Sequence, residues 1–131
     1  MINPLRIAFL LLFISIGLED ISFADHFEIS ARDFFDYCKL EVKHLDGFQS
    51  LTTREIRKAS SCQKHVMGFI NSHLLEKNKN NRTLYCKPSE VTVNEMTRMF
   101  VKYGGGHPEE LPGSGSEMFL NSLKKAYPCH E

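Results

Sequence analysis

No charge of one sign dominates this 131-residue chain, in which 16 Lys and Arg face 16 Asp and Glu. That balance excludes the broad basic field that draws nucleic-acid binders and anionic-membrane binders to their targets. A partner must be met by local surface. No CxxC pair is present, and the cysteine spacings of 24, 24 and 43 residues lack the close pairs of zinc modules. No period-2 alternation is long enough for a useful strand, which excludes a sheet-based fold. Repeats and long low-complexity linkers are missing as well.

Only one long apolar run occurs, the 12 residues Ile7 to Leu18. It follows Arg6 and precedes Ser22-Phe23-Ala24, which puts small residues at the −3 and −1 positions of a cleavage site. The pattern predicts a secretory signal peptide over residues 1–24, because the run is too short to span a bilayer comfortably. The expected mature domain is residues 25–131, with a net charge near +1. A chain of that size builds one modest core. No later run is apolar enough to hold the processed chain in a membrane.

All four cysteines, Cys38, Cys62, Cys86 and Cys129, lie after the cut. An even number in an exported small domain reads as two disulfides. Three segments open with capping-box-like starts: Ser30-Ala31-Arg32-Asp33, Thr52-Thr53-Arg54-Glu55 and Thr92-Val93-Asn94-Glu95. Each leads into apolar residues at helical spacing. The stripes are Phe34, Cys38, Val42 and Leu45, then Ile56, Ala59, Val66, Phe69 and Ile70 beside Cys62, then Val93, Met96, Phe100 and Tyr103. Phe119, Leu120, Leu123 and Tyr127 form a fourth. The expected fold is all-α, a small bundle of about four main helices stapled by two disulfides. Cys86 precedes the third helix and Cys129 follows the fourth, so the ends of an antiparallel hairpin pair them. Cys38 and Cys62 then join the first two helices. Gly68, inside the second helix, predicts close approach of a neighbouring helix.

The segment Gly104-Gly105-Gly106-His107-Pro108-Glu109-Glu110 admits three interpretations. A metal site would use His107, Glu109 and Glu110, but no third converging ligand type accompanies them from elsewhere. A phosphate loop would need a strand before the glycines and a Lys after them, and both are missing. Helix punctuation fits best: a stop at Tyr103 with at least one glycine at positive φ, then a short turn opened by Pro108 and a last helix capped by Ser114 or Ser116. Cys62 and His65, at i and i+3, could form a nucleophile pair, but a disulfide role for Cys62 is simpler and no oxyanion donors accompany it. The alternative function is a small periplasmic stress or acid chaperone, which histidines could assist on acidification, but the six histidines are scattered, which counts against it.

Five stretches occur in order: SARDFFDYC from Ser30, CQKHVMGF from Cys62, YCKPSEVTVNEMTRMFVKY from Tyr85, HPEEL from His107 and LKKAYPC from Leu123. Together they resemble the Rap/Tai immunity proteins of type VI secretion systems, over about residues 29–129. The resemblance implies a periplasmic, helical, disulfide-bonded protein, often a homodimer. It implies a protein that inhibits a peptidoglycan amidase effector by plugging its cleft, with no catalysis and no cofactor of its own. The three glycines before HPEEL depart from the family pattern. Two polar loops compete for the partner surface. One is Lys77–Thr83, with Lys77, Lys79 and Arg82; the other is Gly104–Ser116, with Gly105 and His107. The first is favoured for specificity, because HPEEL looks like punctuation shared across the family.

Overall fold

In a computed structural model, the chain is described over residues 28–47, 50–80 and 82–130, with the side chains of 78–80 excepted. The expected signal peptide lies outside the described residues. Four α-helices follow in order: α1 Ala31–Leu45, α2 Thr53–Asn80, α3 Val93–Gly106 and α4 Gly115–Ala126. A 3-10 turn, Pro108–Glu110, links α3 to α4. No named strand occurs among the described residues.

Local chemistry sets where each helix starts. Ser30 Oγ accepts the N–H of Asp33, and Thr52 and Thr92 each exchange hydrogen bonds with the Glu three residues on. These contacts satisfy backbone donors that a helix start leaves unpaired. Ser114 caps α4 by accepting from Glu117 N–H. α1 ends at Asp46, and Gly47 takes φ +77 to turn the chain.

The buried face of α1 is Ala31, Phe34, Cys38 and Glu41, spaced at three and four residues. Phe34, Phe100 and Phe119 meet at ring-centroid distances of 4.7, 5.7 and 5.3 Å, joining α1, α3 and α4. Phe69 of α2 sets its ring edge-on to Phe119 at 5.1 Å. Such tilted and edge contacts suit the ring quadrupoles. Residues before α1 pair with the approach to α4: Gly115 N–H donates to Ile29 carbonyl oxygen and Ala31 N–H to that of Gly113, both at 2.9 Å. A Cβ on Gly115 would sit 2.7 Å from the Ile29 oxygen, so only glycine fits there.

Both expected disulfides are present. Cys38–Cys62 locks α1 to α2, and Cys86–Cys129 joins the approach to α3 with the exit from α4. Beside the second, Cys86 N–H donates to the Tyr127 carbonyl oxygen at 2.8 Å.

Five expectations are corrected. Helix α3 does not stop at Tyr103 but continues through Gly104–Gly106 to the C-cap His107, whose φ is −132. Gly47 is the one positive-φ glycine among the described residues, so no glycine of the triplet reverses the chain. Gly104 serves packing instead: a Cβ there would lie 2.5 Å from the Phe35 ring. Helix α2 runs through Asn80, so Lys77–Asn80 is helical and not loop. Nothing in that polar stretch breaks a helix, since it holds neither Gly nor Pro. Ile56 is 45% exposed although it was assigned to a buried stripe. Gly68 has no neighbour within 4 Å of a built Cβ, so no helix among the described residues closes on it.

Candidate partner-binding surface

Tyr103 and His107 lie one helical turn apart at the end of α3, and their rings stack at 3.8 Å with 7° between planes. His107 Nδ1 is 2.8 Å from the Tyr103 carbonyl oxygen. A carbonyl can only accept, so Nδ1 carries the proton there. That leaves Nε2 to face Lys125 Nζ at 3.3 Å. The Tyr103 hydroxyl donates to Glu110 Oε1 at 2.5 Å, and Asn121 Nδ2 donates to Glu110 Oε2 at 3.1 Å. Burial first, then the Glu110 hydrogen bond and charge, push the Tyr103 phenol up to about 12. The result is a clasp joining α3, the 3-10 turn and α4.

That clasp explains HPEEL. His107, Glu109 and Glu110 place potential ligand atoms within 4.8 Å of one another. Yet both His107 nitrogens and both Glu110 carboxylate oxygens already face protein groups. Two of the three donors are committed to structure, and a metal ion would have to displace their partners. Cys62 is bonded to Cys38 and no cysteine is free, so the Cys62–His65 nucleophile has no thiol. His65 packs against Phe34 at 5.7 Å, and burial holds its pKa below the ordinary value.

The five residues expected to meet a partner fall in two places. Lys77 is exposed on the last turns of α2, Lys79 follows it on the same helix, and exposed Arg82 lies just beyond. Gly105 is exposed on the last turn of α3, and half-buried His107 belongs to the clasp. A shallow hollow of about 350 Å³ between Met99, Tyr103, Gly106 and Ala126 adjoins this second set.

Other features of α2 escaped the sequence pattern. Met67, Leu74 and Leu75 are 51%, 51% and 62% exposed. Ile56, Met67 and Leu74 recur at i, i+11 and i+18, which brings them to one flank of the helix. The signal was available: Leu74 and Leu75 fit none of the apolar stripes. On another flank, a groove of about 410 Å³ runs over Gly68 between α1 and α2, floored by Ile29, Phe34 and Phe69. Single exposed apolar residues are ordinary, but several sharing one helix flank mark a contact surface.

Among the described residues, no helix is long and apolar enough to cross a membrane. No curated protein and no solved structure matches the chain. The sequence profile of the Rap1a immunity proteins matches residues 30–129, from the α1 cap to the second disulfide, and the chain belongs to that family.

Proposed function

We propose that the chain is a periplasmic immunity protein that binds a type VI secretion peptidoglycan amidase effector and occludes its active site. Family membership supports an effector-binding inhibitor. Two disulfides favour an oxidising compartment, which is where a peptidoglycan amidase acts. Inhibition by occlusion asks for a surface held in place before binding, because ordering it on contact would cost affinity. A core bounded by two disulfides supplies that rigidity.

The observation that carries the choice of contact is the far end of α2. Leu75 is 62% exposed there, exposed Lys77 lies two residues on, and exposed Arg82 comes just beyond the helix. An apolar anchor rimmed by cations is a usual interface plan, with the charges acting mainly on encounter. The test titrates the processed chain into the cognate amidase by calorimetry, beside a peptidoglycan-cleavage assay. The expected result is equimolar inhibition, which Lys79→Ala/Arg82→Ala weakens with an unchanged melting curve. Full inhibition by that variant would move the contact elsewhere, and no inhibition by the parent chain would remove the proposal.

A further inference from the structure

Arg54, Arg57 and Lys58 occupy the first two turns of α2, at i, i+3 and i+4, and all three are exposed. The positive end of a helix dipole disfavours cations there, and Arg54 and Lys58 repel each other across one turn. None of the three forms a salt bridge: the ion pairs among the described residues are Lys39–Asp36 and Arg98–Asp46, and only Lys58 feels a nearby carboxylate, that of Glu55. Glu55, the nearest acid in sequence, is turned back onto Thr52 N–H and hydroxyl. Lys58 Nζ lies 5.5 Å from the centroid of the Tyr37 ring of α1. These side chains and Ser61 bound a concavity of about 450 Å³. In a chain of balanced charge, three cations around a hollow at a helix start, with Arg54 and Arg57 in no ion pair, break local helix rules, and such positions mark functional surface.

The hollow is not isolated. Positions 54, 58, 61, 65, 68 and 72 follow one another by four and three residues, so they share one face of α2. The basic hollow includes Ser61, and the apolar-floored groove begins at His65 and passes over Gly68 to Ser72. Arg54 to Ser72 is about 27 Å of helix, the length of roughly eight extended residues. Gly68 presents bare backbone at the apolar end with open space above it. It carries the helix penalty of glycine with no neighbour among the described residues to justify it. A compact anion would fill only one end of this track, and a flat lipid surface does not enter a concavity.

We propose that this face of α2 is a docking groove for an extended acidic segment of another protein, with carboxylates in the Arg54–Arg57–Lys58 hollow and an apolar side chain in the groove beside Gly68. It deepens the immunity proposal, since it rests on the chain acting through a protein partner. Its test uses no amidase, so the two can fail separately. The probe is the synthetic peptide Glu-Glu-Glu-Glu-Gly-Ser-Phe-Leu, titrated into the full processed chain and followed by backbone amide shifts. The expected result is saturable shifts confined to α1 and to residues 54–72. Affinity should fall by about tenfold or more when the four Glu are replaced by Gln, and similarly in Arg54→Ala/Arg57→Ala. Gly68→Leu should abolish the shifts near Ser72 while raising the melting temperature, which separates blockage from unfolding. Equal binding of the Gln peptide, no saturable shift, or shifts elsewhere would overturn the proposal. So would inorganic phosphate or phosphatidylglycerol vesicles matching the peptide at the same amides. An amidase that is still inhibited when the peptide fails would leave the immunity proposal standing and remove only the groove.

Discussion

Glycine shows most directly how one residue type serves opposite purposes in this chain. Gly104 is buried under the Phe35 ring, while Gly105 stands next to it with open space around its Cα. Gly104→Ala should therefore destabilise the fold by about 1–3 kcal/mol, because Phe35 must leave its place. Gly105→Ala should stabilise it by about 0.5 kcal/mol, since it removes backbone freedom from the unfolded chain at a helical site. Paired thermal melts decide both, and equal effects would contradict the packing role of Gly104. Glu41 offers a second test. It is 3% exposed, and burial raises its pKa above 4.5, with His44 and Gln63 offsetting part of the effect. A raised carboxyl pKa means that the protonated form suits the fold, so its contribution is present at low pH and lost as pH rises through the raised value. Glu41→Gln should melt higher than the parent at pH 7. The gap should close below the ordinary glutamate range, and a gap that widens in acid would show that the charge is wanted.

At the scale of elements, the two disulfides protect different things. Cys38 and Cys62 are fully buried between α1 and α2, whereas Cys86 and Cys129 are exposed where the α3–α4 unit begins and ends. Exchange needs a thiolate to reach sulfur, so exposure governs the order of reduction. Under mild native reduction, Cys86–Cys129 should open first, as peptide mapping after alkylation would show. Early loss of Cys38–Cys62 would mean that α1 and α2 separate readily. Loop entropy puts the contribution of each bond at roughly 3–4 kcal/mol, a large part of the stability of so small a domain. The ends of α3 and α4 are also held by the Tyr103–Glu110–Asn121 contacts, so opening the exposed bond should leave most helix intact.

Across the whole molecule, α2 is the element with surface to spare. Its core-facing residues hold Cys62 and Val66 against the bundle, and two other flanks stay open. One carries the cationic hollow and the Gly68 groove. The other carries Ile56, Met67 and Leu74 over about 27 Å, and a homodimer, which the family resemblance implies, would be expected to use that flank. Light scattering on the processed chain should give twice the chain mass, and Met67→Glu should return it to one chain mass without lowering the melting temperature. A dimer indifferent to Met67→Glu would have its interface elsewhere.

Cap residues, the four helices and both cysteine pairings were legible in the sequence, because they depend on contacts within a few residues or on which helix ends must meet. Ser30, Thr52 and Thr92 cap as their spacing requires, whatever surrounds them. Tertiary structure decided everything that depends on a neighbour's position. Sequence cannot separate a glycine that ends a helix from one that admits a ring, and only the placement of Phe35 against Gly104 makes that choice. Helical periodicity marks apolar residues but not which of two adjacent faces meets the core, so Ile56 fell on the wrong side. Punctuation is the better reading of HPEEL from sequence, but only folding shows what His107 and Glu110 hold, by bringing the Tyr103 carbonyl, Asn121 and Lys125 within hydrogen-bonding reach of them. The empty space over Gly68 is likewise a property of the packed helices, which no stretch of chain states by itself.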